Sequence, residues 1–205
     1  MALKVVRRHG ARSAPALVYG FPGTVLISIN EEIVHGIPGR RRIAPGDLVK
    51  IDVTLEKDGY IADAARTVVA GMAAPEAQRL ADAAQAAFEA GLAITRVGTR
   101  VNEIGRAVSR ETRRRGFAVV RGLTHGVGRT IHEEPSVPND YDPFQRDVLT
   151  EGLVLTIEPM IAAGSATPVQ SDDGWTIRTS DGSLSAHYEH TLVVTRDGPV
   201  LLTAA

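Results

Sequence analysis

The sequence predicts an α+β fold, and three stretches carry that prediction. Leu48 to Thr67 alternates like a strand, breaks at Asp58-Gly59 and alternates again; residues 75–115 carry helical periodicity; strand-like apolar runs return after residue 150. At 205 residues the chain is long enough for one substantial core, or for two half-sized lobes that share one. Its 23 Lys and Arg against 24 Asp and Glu give no reason to expect nucleic acid or an anionic membrane as the main partner. Cysteine is absent, which removes disulfides, thiolate metal sites and cysteine nucleophiles together. No run approaches the roughly 20 apolar residues of a membrane span, and the basic N-terminus lacks a signal peptide's apolar middle. The expectation is a soluble, cytoplasmic protein.

In chain order, Leu3 to His9 reads as the last turns of a helix, with Arg7 and Arg8 near its C-terminal end and Gly10 after it. Ser13 to Gly23 is read as loop, Thr24 to Ile29 as a strand, and Asn30-Glu31 as a turn into a loop that holds His35. Arg40, Arg41 and Arg42 read as a solvated basic loop, and Pro45-Gly46-Asp47 as the turn that launches the hairpin. Pro75 suits the first position of a helix whose apolar spacing runs to about Ile94. A second helix follows from near Val101, closed by Arg113 to Arg115 and Gly116, basic residues that complement the helix dipole. Leu153 to Ile161 reads as an apolar strand, and AHYEHTLVVT, from Ala186, as a terminal one.

The chemistry stands where this pattern is broken. Asp52 and Asp63 sit inside the two apolar runs of the hairpin and face one side of the sheet. Adjacent carboxylates repel, and such an arrangement persists when a cation lies between them or a proton is shared. A loop at Lys57-Asp58 sets the two acids directly opposite; the chemically preferred Asp58-Gly59 loop shifts the register by two, so a bulge near the turn is expected if they are to converge. His125, among Gly122, Gly126 and Gly128, precedes His132 and Glu133-Glu134-Pro135; glycine there lets backbone approach a ligand closely. Glu158 lies in mid-strand, and Glu189 with His190 interrupts the last strand. A buried carboxylate needs a proton, a cation or strong donors. Asp52, Asp63, His125, Glu158 and Glu189 make five candidate ligands, a set that suits two divalent ions bridged by carboxylates and a water. Oxygen donors with one imidazole suit Mn²⁺, Co²⁺, Fe²⁺ or Zn²⁺ without choosing among them.

ISINEEIVHGIP, IDVTLEKDGYIAD, THGVGRTIHEEP, TIEPM and SLSAHYEHTLVVT, in this order and at these separations, resemble the successive motifs of bacterial type I methionine aminopeptidases. The resemblance covers the chain from about Gly10. It implies the pita-bread (creatinase/aminopeptidase) fold, an antiparallel sheet with helices on one face, as a single catalytic domain over residues 1–205 with two pseudo-symmetric halves and the site between them. It implies that Asp52 chelates one metal, that His125 and Glu158 bind the other, and that Asp63 and Glu189 bridge them. His35 and His132 are implied to contact the substrate, His132 near the scissile carbonyl, while Phe21 and Trp175 help to wall a methionine pocket. His132, Glu158 and His35 are thereby the implied catalytic residues.

The activity implied is removal of N-terminal methionine from nascent proteins and peptides with a small second residue, by a monomer that uses two divalent ions and possesses no membrane or specific nucleic-acid partner. Contact with the ribosome is expected of cotranslational processing. Helical residues that usually precede the first strand in the family are missing here, as expected either of an N-terminally truncated member or of a chain whose start was placed at an internal Met. Leu26 stands where relatives often have cysteine, Val18 and Ile131 where they often have aromatics, and Thr124 where a glycine usually precedes the metal histidine. Proline-directed peptidases of the same fold would keep the five ligands and differ in the pocket. A truncated paralogue acting as a binding module would typically lose ligands.

Overall fold

A computed structural model describes residues 1–72 and 74–204. Helix α1 (Ala2–Arg8), strand β1 (Arg12–Ser13) and helix α2 (Ala14–Tyr19) lead into β2 (Leu26–Ile29) and β3 (Glu32–Val34). The long strands β4 (Leu48–Lys57) and β5 (Tyr60–Val69) follow, then helices α3 (Pro75–Ile94) and α4 (Val101–Arg114). The remainder is β6 (Ala118–Val119), β7 (Val154–Ile157), β8 (Met160–Ala162), β9 (Pro168–Gln170), β10 (Ile177–Thr179), β11 (Ser185–Thr195) and β12 (Gly198–Leu201). Ser13 to Gly23 is therefore not all loop: Pro15 in the first turn of α2 and Gly20 at its C-cap, with φ +73°, supply start and stop signals that a six-residue helix needs.

The hairpin turns on Asp58 and Gly59, whose φ values are +54° and +81°. Both central residues positive is the requirement of a two-residue turn whose twist matches the strands, and Asp-Gly meets it. The register then pairs Leu48 with Val69 through to Lys57 with Tyr60 without interruption. The expected bulge is absent. Asp52 stands opposite Ala65 and Asp63 opposite Thr54, so the two acids are diagonal neighbours on one face, a separation that suits groups sharing a ligand better than direct opposition does.

Nine strands form one sheet, in the order β1, β4, β5, β11, β8, β6, with β2 also on β4 and with β7 and β12 on β11. The long strand β11 receives β8 along Ser185 to His187 and β7 along His190 to Val193. The predicted strand Leu153 to Ile161 is thus two strands, and the gap between them is Glu158-Pro159. Proline has no N–H for the ladder, so pairing lapses there and Glu158 is released from strand geometry. A second sheet, β3, β10 and β9, was not anticipated because its strands are three residues long.

Helices α3 and α4 cover one face of the large sheet. Leu80, Ala83, Ala84, Ala87 and Phe88 of α3 are buried against Leu48, Leu155, Ile161, Ala186 and Leu192 of the strands, in two clusters that also take in Ile104 and Val108 of α4. Alternation along β11 sends Ala186, Tyr188, His190 and Leu192 to this side; the rings of Tyr188 and His190 lie 5.2 and 5.4 Å from that of Phe88. His187, Glu189 and Thr191 therefore face away from the helices, and the site is built on that opposite face.

Candidate metal centre

Three neighbouring strands supply its floor. Asp52 of β4 pairs with Ala65 of β5, and Ala65 with Glu189 of β11, so the two acids flank a side chain of one carbon, with room above it. Asp63, two residues before Ala65, completes the face. The fourth acid, Glu158, comes from the gap between β7 and β8; its backbone carbonyl accepts from Asn139 Nδ2 at 3.0 Å. Asp52 is 8% exposed, Asp63 and Glu158 4%, and Glu189 1%. Threonines fix this frame: Thr54 Oγ1 donates to Asp63 Oδ2 at 2.9 Å, and Thr191 Oγ1 joins both the N–H and the carbonyl of Asp63 at 2.8 Å.

His125 enters from the glycine-rich loop. Its backbone N–H donates to Glu158 Oε1 at 3.0 Å, and its carbonyl accepts from Thr156 Oγ1 at 2.7 Å. Nδ1 lies 3.0 Å from the carbonyl of Gly126, a contact that needs the proton on Nδ1 and leaves Nε2 as a free base. That Nε2 stands 3.8 Å from Asp63 Oδ2 and 3.7 Å from Glu158 Oε1. The structure thus brings together all five residues expected as ligands.

Among the described residues no lysine or arginine pairs with these acids; only the imidazoles of His125 and His187 approach them. Burial pushes the carboxyls of Asp52, Glu158 and Glu189 well above the usual carboxylate range, and the charges of their neighbours push the same way; burial raises Asp63 to about 6. Lys50, buried two residues from Asp52, spends its N–H groups elsewhere, on the carbonyls of Asn30 and Ser185 and on Ser185 Oγ. Among the described residues, Asp52 Oδ1, Asp63 Oδ1 and Glu189 Oε1 are buried without a hydrogen-bond partner. Ligand atoms of Asp63, His125 and Glu189 lie within 4.8 Å of one another, and so do those of Asp52, His187 and Glu189. Unpartnered oxygens and a free imidazole nitrogen turned inward are a donor set that fits divalent cations.

Above this floor lies a cleft of about 400 Å³, lined by His35, His125, His132 and Glu134 as well as by Asp52, Glu158 and Glu189. His35, at φ +61°, projects from the end of β3; burial and two nearby histidines lower its pKa to about 4, so the ring is neutral. The His132 ring lies tilted against that of His125, 4.4 Å between centroids, and its Nδ1 is 2.8 Å from the Tyr19 hydroxyl. A smaller cavity of about 70 Å³ adjoins, walled by Pro15, Phe21, Leu26, Ile131 and Trp175. Phe21 and Trp175 meet edge to face at 5.2 Å. Of the family departures, Leu26 and Ile131 line this cavity, whereas Val18 is half exposed and its neighbour Tyr19 takes the wall position. The Thr124 hydroxyl is turned onto Ser136 Oγ at 3.0 Å. Tyr19 and His187 were missed in the sequence: Tyr19 lay in a stretch read as loop, and only the face parity of β11 singles out His187.

A buried polyacidic centre with an imidazole, opening on a cleft beside an apolar pocket, defines a metal-dependent hydrolase. The sequence profile of metallopeptidase family M24 matches residues 1–196, and the chain belongs to that family; relatives that it resembles over most of their length are methionine aminopeptidases. It is 44% identical over 202 residues to methionine aminopeptidase 2 of Bacillus subtilis, a match spanning 97% of this chain and 81% of that protein. The solved methionine aminopeptidase of Rickettsia prowazekii superposes with a TM-score of 0.93 at 38% identity, over 98% of this chain and 82% of that one. That of Thermotoga maritima gives 0.93 at 33% identity, over 99% and 82%. The fold is the pita-bread fold, in a chain shorter than these relatives. Among the described residues no helix is long and apolar enough to cross a membrane.

Proposed function

We propose that the chain is a methionyl aminopeptidase that removes N-terminal methionine from peptides and nascent proteins with a small second residue. The observation that carries this reading is the set of five inward-facing ligand residues, four of them buried acids without a counter-charge, set beside an apolar side pocket. Asp52 would hold one divalent cation, His125 and Glu158 a second, and Asp63 and Glu189 both. A cation pair held there would supply the acidity that activates a water near neutral pH and the charge that polarises the scissile carbonyl.

The protein's own groups do the rest. Glu158 takes a proton from the attacking water and delivers it to the departing amine. With the Tyr19 hydroxyl donating to Nδ1, His132 keeps its proton on Nε2, where it donates to the developing oxyanion. Neutral His35 offers the substrate backbone a hydrogen bond from the cleft wall. Phe21 and Trp175 wall the pocket that takes the methionine side chain. Burying that side chain supplies roughly 1.5–3 kcal/mol, enough to select it over alanine.

Residues 1–205 act in this reading as a single catalytic domain of two pseudo-symmetric halves: the hairpin gives Asp52 and Asp63 from one, and Glu158 and Glu189 come from the other. The enzyme works as a cytoplasmic monomer on chains emerging from the ribosome. With added Co²⁺ or Mn²⁺, purified protein is expected to release methionine from Met-Ala-Ser and to leave Ala-Pro peptides intact. Cleavage of Ala-Pro in preference to Met-Ala-Ser would assign the pocket to a proline-directed peptidase instead.

A further inference from the structure

His187 is a buried imidazole that the five-ligand scheme does not use. It is 1% exposed, and among the described residues neither ring nitrogen has a hydrogen-bond partner. Two residues before Glu189 on β11, it shares the face that carries the acids. Its Nε2 lies 3.6 Å from Glu189 Oε2 and 3.9 Å from Glu158 Oε2. Both distances are too long for hydrogen bonds, yet a cation between the groups would bring each within coordinating range. One ligand atom each of Asp52, His187 and Glu189 falls within a common 4.8 Å. The backbone holds the ring there, since Thr67 Oγ1 donates to the His187 carbonyl and accepts from its N–H, both at 2.8 Å. An imidazole sealed among carboxylates, with neither nitrogen paired among the described residues, is costly as a structural element, and a cation at this point would give one nitrogen a partner.

We propose that His187 is a sixth protein ligand, bound to the cation that Asp52 and Glu189 hold, so that each of the two cations carries one imidazole. The proposal rests on the two-cation reading above. An oxygen-only site would suit Mn²⁺ or Mg²⁺; an added nitrogen donor moves that position toward Co²⁺ and Zn²⁺.

Histidines ligated to high-spin Co²⁺ show a strongly shifted, solvent-exchangeable ring N–H in the proton NMR spectrum, so ligands can be counted directly. The full chain titrated with Co²⁺ is expected to bind two ions and give two such resonances, with His187→Gln removing one and weakening one ion by at least the roughly 10- to 100-fold that loss of even an outer partner of a ligand costs. Two bound ions with a single resonance in the unmutated protein would overturn the proposal and leave the two-cation reading standing. Two resonances that both survive in His187→Gln would also overturn it. Fewer than two bound ions would contradict the two-cation reading, and this proposal with it. The count in the unmutated protein decides the matter even if the variant does not fold.

Discussion

Each of the four buried acids ties the protein's stability to pH and to metal. Without metal, Asp63 holds its proton up to about pH 6, and Asp52, Glu158 and Glu189 hold theirs well above the carboxylate range, because burial disfavours the ionised form. The folded protein then binds protons that the unfolded chain has released. The stability so gained is complete below about pH 4 and is lost as pH rises through 6 and beyond. His35, lowered to about 4, and His187, lowered to about 3, act oppositely: their contribution is present above about 6.5 and lost as pH falls through those lowered values. Divalent cations need the acids ionised and the imidazoles neutral, so binding releases protons and strengthens with pH. The rise in Tm on adding saturating Co²⁺ or Zn²⁺ is therefore expected to grow between pH 5 and 7, as scanning calorimetry would show. A gain independent of pH would mean that the acids are already ionised without metal.

At this scale the sequence was informative wherever an acid interrupted an apolar alternation, since a carboxylate inside a buried strand needs a proton, a cation or strong donors, and several together point to a cation. Asp52, Asp63, Glu158 and Glu189 were found in that way. His187 was not, because His190 beside Glu189 is as conspicuous a letter. Pairing alone reveals that His190 faces Phe88 while His187 faces the acids.

Among the elements, the glycine-rich loop is the one whose backbone decides the site. A Cβ on Gly126 would meet the carbonyl oxygens of Glu133 and Pro135 at 2.6 and 2.9 Å, across the two hydrogen bonds that tie Gly126 to Glu133. Main chain cannot rotate aside as a flexible side chain can. Gly126→Ala is expected to shift the segment carrying His125 and His132, lowering kcat/KM at least tenfold and stability by about 1–3 kcal/mol while the helical far-UV signal is retained. Unchanged kinetics would show that the loop position does not matter to catalysis. The hairpin, α3 and α4 were legible because Asp-Gly, Pro75 and Gly116 punctuate long periodic runs. The Glu158-Pro159 gap was hidden by continuous hydrophobicity, although its proline was the available signal. Helix α2 and the three-residue strands are too short for periodicity to register.

Over the whole molecule, the fold brings together residues more than a hundred positions apart: Asp63 is fixed by Thr191, Tyr19 reaches His132, and Asp52 aligns with Glu189 through Ala65. The α+β class and the order of the large elements could be read from the chain; the ladder order, with β11 between β5 on one side and β7 and β8 on the other, could not, because it depends on pairings between distant segments. That order is what turns scattered acids into one centre. The most direct test of the centre is methionine release from Met-Ala-Ser by the metal-stripped protein, as a function of added Co²⁺ or Mn²⁺, beside Asp63→Asn. Activity is expected to be absent without metal, to be restored as cations are added, and to fall by at least a thousandfold in Asp63→Asn. Metal-independent release, or an Asp63→Asn variant as active as the unmutated protein, would contradict a shared-carboxylate metal centre.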